Sequence, residues 1–84
     1  MVNGIADKVL DARGLVRPVP VLKTKKTLEE LRSGQILEVM ATDVASKFDV
    51  PALAKRLGYE LIEIKEDRGV ICFLLKKIGS QVLM

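Results

Sequence analysis

Residues 9–20 read VLDARGLVRPVP, and this stretch predicts a strand, a short loop and the beginning of a helix in immediate succession. Pro18 fits the first helical position, because a residue there has no intrahelical partner for an N–H group to lose. Arg17 is then the N-cap residue, at the positive end of the helix dipole, where an acceptor side chain or an anion is favoured. Because arginine is a cation, we expect Arg17 either to attract an anion or to replace a residue with a different role.

The segments on either side of this loop predict the first strand and the first helix. A short apolar stretch predicts a strand over residues 5–11. Residues 18–32 repeat at helical spacing, which predicts a helix with one buried face. Arg32 in its last turn and Gly34 just beyond it are typical of a helix end. The residues expected on the buried face are Val21, Thr24, Leu28 and Leu31.

The next segment, residues 35–42, predicts a second strand. Its side chains alternate, with Leu37, Val39 and Ala41 on one face and a mixed polar and apolar set on the other. A mixed second face indicates a sheet that is covered by helices on one side only.

Residues 46–57 predict a second helix, which Gly58 ends. Two interpretations of its beginning stay open. The spacing of Ser46 and Asp49 resembles a capping box, whereas Pro51 in the first turn makes Asp49 the N-cap. The apolar stripe consists of Val50, Leu53, Ala54 and Leu57.

Two more strands are predicted over residues 59–66 and 70–77, with a hairpin turn at residues 67–69. The order βαβαββ predicts an α/β (α+β) fold, a two-layer sandwich with a four-stranded mixed sheet and two helices on one face. Residues 78–84 are interpreted either as a frayed tail or as a cover for exposed apolar surface.

Length and composition limit the classes of protein. We expect residues 1–84 to form a single domain. The 49% of apolar residues exclude disorder, and no apolar run is long enough to span a membrane. The first eight residues lack the apolar core of a signal peptide, and a single cysteine cannot form an internal disulfide, so we expect a cytoplasmic protein.

The chain has no histidine, which removes the commonest general base and the commonest metal ligand. Clustered cysteines and a glycine-rich phosphate loop are also missing from the sequence. Asp43 is best explained as a turn residue. We therefore expect no metal and no cofactor. The net charge of +3 is compatible with weak contact to RNA or with an acidic partner, and predicts neither.

Residues 9–77 resemble the TusA/SirA family of small sulfur-carrier proteins. The matching stretches are residues 9–15, 18–26, 34–39 with 41–43, and 49–51. In that family the loop before the first helix reads Cys-Pro-x-Pro, and its cysteine carries a persulfide that is passed between proteins. Examples are tRNA thiolation and cofactor sulfuration. The resemblance implies a relay carrier rather than a stand-alone enzyme, with a cysteine desulfurase or a sulfur acceptor as partner.

The resemblance also implies a site, formed here by Arg13, Gly14, Arg17, Pro18, Pro20 and Lys23. A helix N-terminus and nearby cations stabilise a thiolate or a persulfide anion. This chain reads Arg-Pro-Val-Pro, so Arg17 stands at the position of the sulfur-carrying cysteine, and no catalytic residue is assigned.

Three explanations of Arg17 stay open. It can form an anion site with Arg13 and Lys23, it can mark a paralogue that keeps only the binding surface, or it can be an introduced change. An RNA-binding module is the alternative from another class, although Phe48, Tyr59 and Phe73 are not grouped as a stacking surface.

Two further features have alternative explanations. Cys72 lies among large apolar residues and is interpreted as a core residue, with a reactive role as the alternative. The lysines near Lys23 are interpreted as a solvated helix face, with a phosphate-binding stripe as the alternative. The sequence does not indicate an oligomeric state.

Overall fold

A computed structural model describes residues 6–78 of the chain. The order βαβαββ is confirmed. The six elements are β1 (Lys8–Ala12), α1 (Val19–Glu30), β2 (Ile36–Ala41), α2 (Ser46–Leu57), β3 (Glu60–Asp67) and β4 (Val70–Lys76).

The four strands form one mixed sheet in the order β1-β2-β4-β3. β1 is parallel to β2, with Leu10 opposite Val39, while β4 is antiparallel to both β2 and β3. A parallel pair needs a crossover connection, and α1 supplies it. β1 and β2 therefore end at the same edge of the sheet.

Both helices pack on the same face of the sheet, as the alternation of β2 predicts. The buried side chains of α1 and α2 form one cluster with those of β2 and β4. The strand residues of this cluster are Leu37, Val39, Ala41, Ile71, Phe73 and Leu75, and the helices contribute Leu28, Val50, Leu53 and Ala54. The opposite sheet face has no helix over it among residues 6–78.

The predicted bounds are confirmed for α2 and are wrong by a few residues elsewhere. β1 begins at Lys8 and ends at Ala12. The first predicted residue, Ile5, lies outside the described residues, as do residues 79–84 of the predicted tail. α1 ends at Glu30 with Leu31 as its C-cap, so the helix stops before Arg32. The chain is already extended at Leu31, so the helix ends two residues earlier than predicted.

The β3–β4 turn is a two-residue hairpin turn in which Arg68 and Gly69 both have positive φ. Positive φ at both central residues matches the right-handed twist of the flanking strands. Gly58 has a φ of 78° and ends α2 in the left-handed conformation, as predicted. These two turns place β3 and β4 antiparallel and bring β4 beside β2.

Candidate functional site

The candidate site lies at the edge of the sheet where β1 and β2 end. The loops that follow these parallel strands run into the N-termini of α1 and α2. The N–H of Gly14 in the first loop donates a hydrogen bond to Oγ1 of Thr42 in the second, at 2.9 Å. Gly14 has a φ of 80°, a conformation that side chains disfavour, so glycine suits this position.

The beginning of α1 differs from the prediction. The N-cap residue is Pro18 and the helix begins at Val19, so Arg17 precedes the cap by one residue, and the prediction of Arg17 as N-cap is wrong. No side chain caps the helix. Pro20 occupies the first turn and is buried, where a missing N–H costs nothing. Because Pro18 and Pro20 both fit the first turn of a helix, the sequence alone does not determine which of two neighbouring residues is the N-cap.

Arg17 is bound by two carboxylates from the second loop and from α2. Its backbone N–H donates to Oδ2 of Asp43, and its Nε donates to Oδ2 of Asp49 at 2.9 Å. The side chain of Arg17 is 67% exposed, whereas that of Asp49 is 19% exposed. The ion pair therefore turns the carboxylate inward and leaves the guanidinium facing solvent.

Asp43 acts as a turn residue, as predicted. Its Oδ1 accepts the N–H of Ala45 at 3.0 Å, which is an Asx turn. The hydrogen bonds from the N–H groups of Ala45 and Arg17 lower the pKa of Asp43 below its ordinary value. Both oxygens thus serve backbone donors, and the carboxylate stays ionised at neutral pH.

Both interpretations of the start of α2 are wrong. Its N-cap is Ala45, with no side-chain cap, and the helix begins at Ser46. Asp49 lies in the first turn, where a negative charge is favourable to the helix dipole, and Pro51 lies inside the helix. The Asp43 carboxylate orders the loop before the helix by accepting the N–H of Ala45, but it binds no N–H of the first helical turn.

Arg13 is held by its own loop rather than by Arg17. Its Nε and Nη2 donate to the two carboxylate oxygens of Asp11, at 2.9 and 2.8 Å. The hydrogen bonds from Arg13 lower the pKa of Asp11 to about 2. This fork-to-fork geometry occupies one edge of the guanidinium, the edge formed by Nε and Nη2.

Lys23 lies exposed in the second turn of α1. The three cations of the predicted anion site thus differ in their surroundings, because Arg13 and Arg17 are ion-paired within the chain to Asp11 and Asp49. Of the predicted site residues, the structure brings Gly14, Arg17 and Pro18 to the loop edge.

Cys72 is not a core residue, so that interpretation is wrong. Its neighbours Ile71 and Phe73 point into the core, and Cys72 points to the opposite face, beside Met40 and Lys65 in the ladder. The thiol is half-buried in a shallow cleft with Glu63, Lys65 and Leu74. Burial raises the pKa of Cys72 above its ordinary value, so the thiol is protonated at neutral pH.

Sequence reasoning missed Thr42 as the residue that joins the two loops. The available signal was topological: parallel strands that end at Ala12 and Ala41 bring the following loops together. In the described part of the chain, no three His, Cys, Asp or Glu side chains are grouped so as to hold a metal ion. Neither helix described is long and apolar enough to span a membrane.

Comparison with known proteins agrees with this arrangement. The family model described as sulfurtransferase TusA matches residues 8–77. The sulfur carrier protein TusA of Allochromatium vinosum is 52% identical over 71 residues, which cover 84% of this chain and 93% of the relative. The protein of the same name from Pseudomonas putida is 36% identical over 77 residues, covering 92% and 96%.

A solved structure shares the fold. The SirA-like protein of Desulfitobacterium hafniense superposes with a TM-score of 0.76 at 31% identity, over 86% of this chain and 99% of that one. The fold and the matching family place this chain in the class of small sulfur-relay proteins. The chain belongs to the TusA sulfurtransferase family, and its function is in sulfur relay with partner proteins.

Proposed function

We propose that this chain takes part in a sulfur relay as a docking protein. It binds a cysteine desulfurase through residues 13–23 and holds no persulfide at position 17. In this proposal residues 1–84 act as a single domain in the cytoplasm, where a free thiol stays reduced. The site residues are Arg13, Gly14, Arg17, Pro18, Pro20 and Lys23.

The observation that supports this proposal is the chemistry of Arg17. The family motif puts a sulfur-carrying cysteine at this position. A guanidinium has N–H donors only, so it can neither attack a persulfide sulfur nor hold that sulfur covalently. Its exposure at the sheet edge nevertheless keeps the surface available to another protein.

The single cysteine of the chain, Cys72, does not replace the missing cysteine at position 17. Cys72 lies on the sheet face away from the helices, and burial raises its pKa, whereas the attacking species in sulfur transfer is a thiolate. A docking protein of this kind forms a small, transient interface whose charged groups set the association rate.

The test uses a purified cysteine desulfurase with cysteine as the sulfur source. In the R17C variant the introduced thiolate attacks the outer sulfur of the donor persulfide, the S–S bond of the donor breaks, and the donor leaves as a thiolate. We expect mass spectrometry to detect the added sulfur on R17C combined with C72S, and none on C72S alone.

A competition assay separates docking from carrying. Excess C72S chain with Arg17 intact should slow the labelling of the R17C and C72S double variant, because both chains occupy one site on the desulfurase. An unchanged labelling rate means that Arg17 chains do not dock on this donor, and the proposal is then wrong. If the unaltered chain acquires sulfur and the C72S variant does not, Cys72 is the carrier and the proposal is also wrong.

A further inference from the structure

An exposed apolar rim is adjacent in the chain to Arg17 and to the two carboxylate residues that bind it. It consists of Val16, Val44 and Phe48, whose side chains are 68%, 62% and 73% exposed. These are the highest exposures among the large hydrophobic side chains of residues 6–78. A soluble protein has no folding reason to place its most exposed apolar groups together, and such patches mark interaction sites.

Hydrogen bonds hold the three rim residues next to Arg17 although they come from different segments. Val16 precedes Arg17 in the chain. Val44 follows Asp43, whose carboxylate accepts the N–H of Arg17, and Phe48 precedes Asp49, whose carboxylate accepts Nε of Arg17. Each rim residue is therefore next in sequence to Arg17 or to a carboxylate residue that binds it.

The guanidinium of Arg17 is more exposed than the Asp49 carboxylate that binds it. Both oxygens of Asp43 are engaged by backbone N–H groups, and Asp49 is turned inward against Nε. The two terminal NH₂ groups of Arg17 have no hydrogen-bond partner among residues 6–78, while its side chain is mostly exposed. A planar guanidinium with a free edge matches a carboxylate in two parallel hydrogen bonds.

We propose that the rim and Arg17 form the anchor of a protein interface, and that the relay partner presents an acidic side chain beside an apolar recess that accepts Phe48. This inference rests on the proposed function and names the chemistry of its partner. Interface hot spots combine an aromatic side chain or an arginine with surrounding contacts that exclude water. The rim supplies those contacts around the ion pair.

The experiment measures the binding of a purified cysteine desulfurase to the unaltered chain and to four variants by calorimetry. We expect F48A to weaken binding about 30-fold or more, which is the loss typical of an aromatic hot spot. R17Q should weaken binding about tenfold and reduce its salt dependence, because the cation is lost. V44A should weaken binding by a smaller factor.

V9A is the matched control for V44A, because Val9 is also a valine that is largely exposed, at 55%, and lies on the face of the sheet away from the helices. It should bind like the unaltered chain. Circular dichroism confirms that each variant is folded. If the unaltered chain binds and F48A and R17Q bind equally well, the anchor is wrong while the proposed function stands. If the unaltered chain shows no binding, both are wrong.

Discussion

Arg17 connects two loops through two separate contacts. Its backbone is bound by Asp43 and its side chain by Asp49, which are 26 and 32 residues away in the chain. Because Asp43 also accepts the N–H of Ala45, one carboxylate orders both loops. The orientation of position 17 is therefore set by the second loop as well as by the turn into α1. A cysteine at position 17 retains the contact with Asp43, since that contact uses the backbone.

At the same scale, Arg13 controls the titration of Asp11. We predict that R13Q raises the pKa of Asp11 from about 2 toward the ordinary value of 3.8, because both side-chain hydrogen bonds are lost. The backbone N–H of residue 13 still donates to Asp11, so part of the shift persists. NMR of the carboxyl carbon over an acid titration measures the pKa. K23Q is the control, and an equal shift in that variant contradicts the assignment to Arg13.

One face of α1 is buried against the sheet. Its buried residues, Pro20, Thr24 and Leu28, recur every four positions and face the sheet. The hydroxyl of Thr24 donates to the carbonyl of Pro20 at 2.8 Å, so this buried polar group is satisfied within the helix. Because Pro20 in the first turn belongs to this buried face, the packing of α1 on the sheet also positions the loop that precedes the helix.

At the scale of this helix, Leu28 and Leu22 form a matched pair for a stability test. We expect L28A to lower the free energy of unfolding by about 2–5 kcal/mol, because it leaves a cavity in the core. L22A removes the same atoms from an exposed position and should change it by about 0.5 kcal/mol or less. Urea denaturation followed by circular dichroism measures both. Equal midpoints for the two variants contradict the assignment of the buried face.

Across the whole molecule, surface ion pairs set the response to acid. The pKa values of three carboxylates are lowered: that of Asp11 by Arg13, that of Glu30 by Lys8, and that of Asp43 mainly by the N–H of Ala45. Glu30 connects α1 to β1 and Asp43 connects the second loop to the first, whereas Asp11 binds Arg13 within one segment. Protonation of Glu30 and Asp43 therefore loosens contacts between elements, and protonation of Asp11 loosens a local one.

The sign of the pH dependence follows from these shifts. The unfolded chain binds protons at the ordinary carboxylate pKa values near 4, while the folded chain binds them at lower pH. The stabilisation is complete above the ordinary values and is lost as pH falls through the folded ones, about 2 in the case of Asp11. We expect the melting temperature to fall between pH 5 and pH 2. A D11N and D43N double variant should show a shallower fall, and an unchanged slope contradicts this account.

Local patterns predicted most of the fold, because the elements have clear periodicity. Ser46–Leu57 has an apolar stripe at helical spacing and a glycine after it, and its bounds were predicted although its N-cap was not. In β2 the alternation predicted the buried set Leu37, Val39 and Ala41. Four stretches taken together, residues 9–15, 18–26, 34–39 with 41–43, and 49–51, predicted the family, which the comparisons confirm. The N-cap of α1 was wrong by one residue, since Pro18 and Pro20 both fit a first turn.

The sequence by itself determined the order of the elements, the buried faces of the helices and the family, because these depend on spacing within a few residues. Only the tertiary structure decided which face Cys72 takes, since the apolar run of residues 70–75 has no alternation to distinguish the two sides. It alone decided that Asp49 binds Arg17 and that Phe48 borders it. Contacts between residues some 30 positions apart arise from the parallel pairing of β1 and β2, which no local pattern encodes.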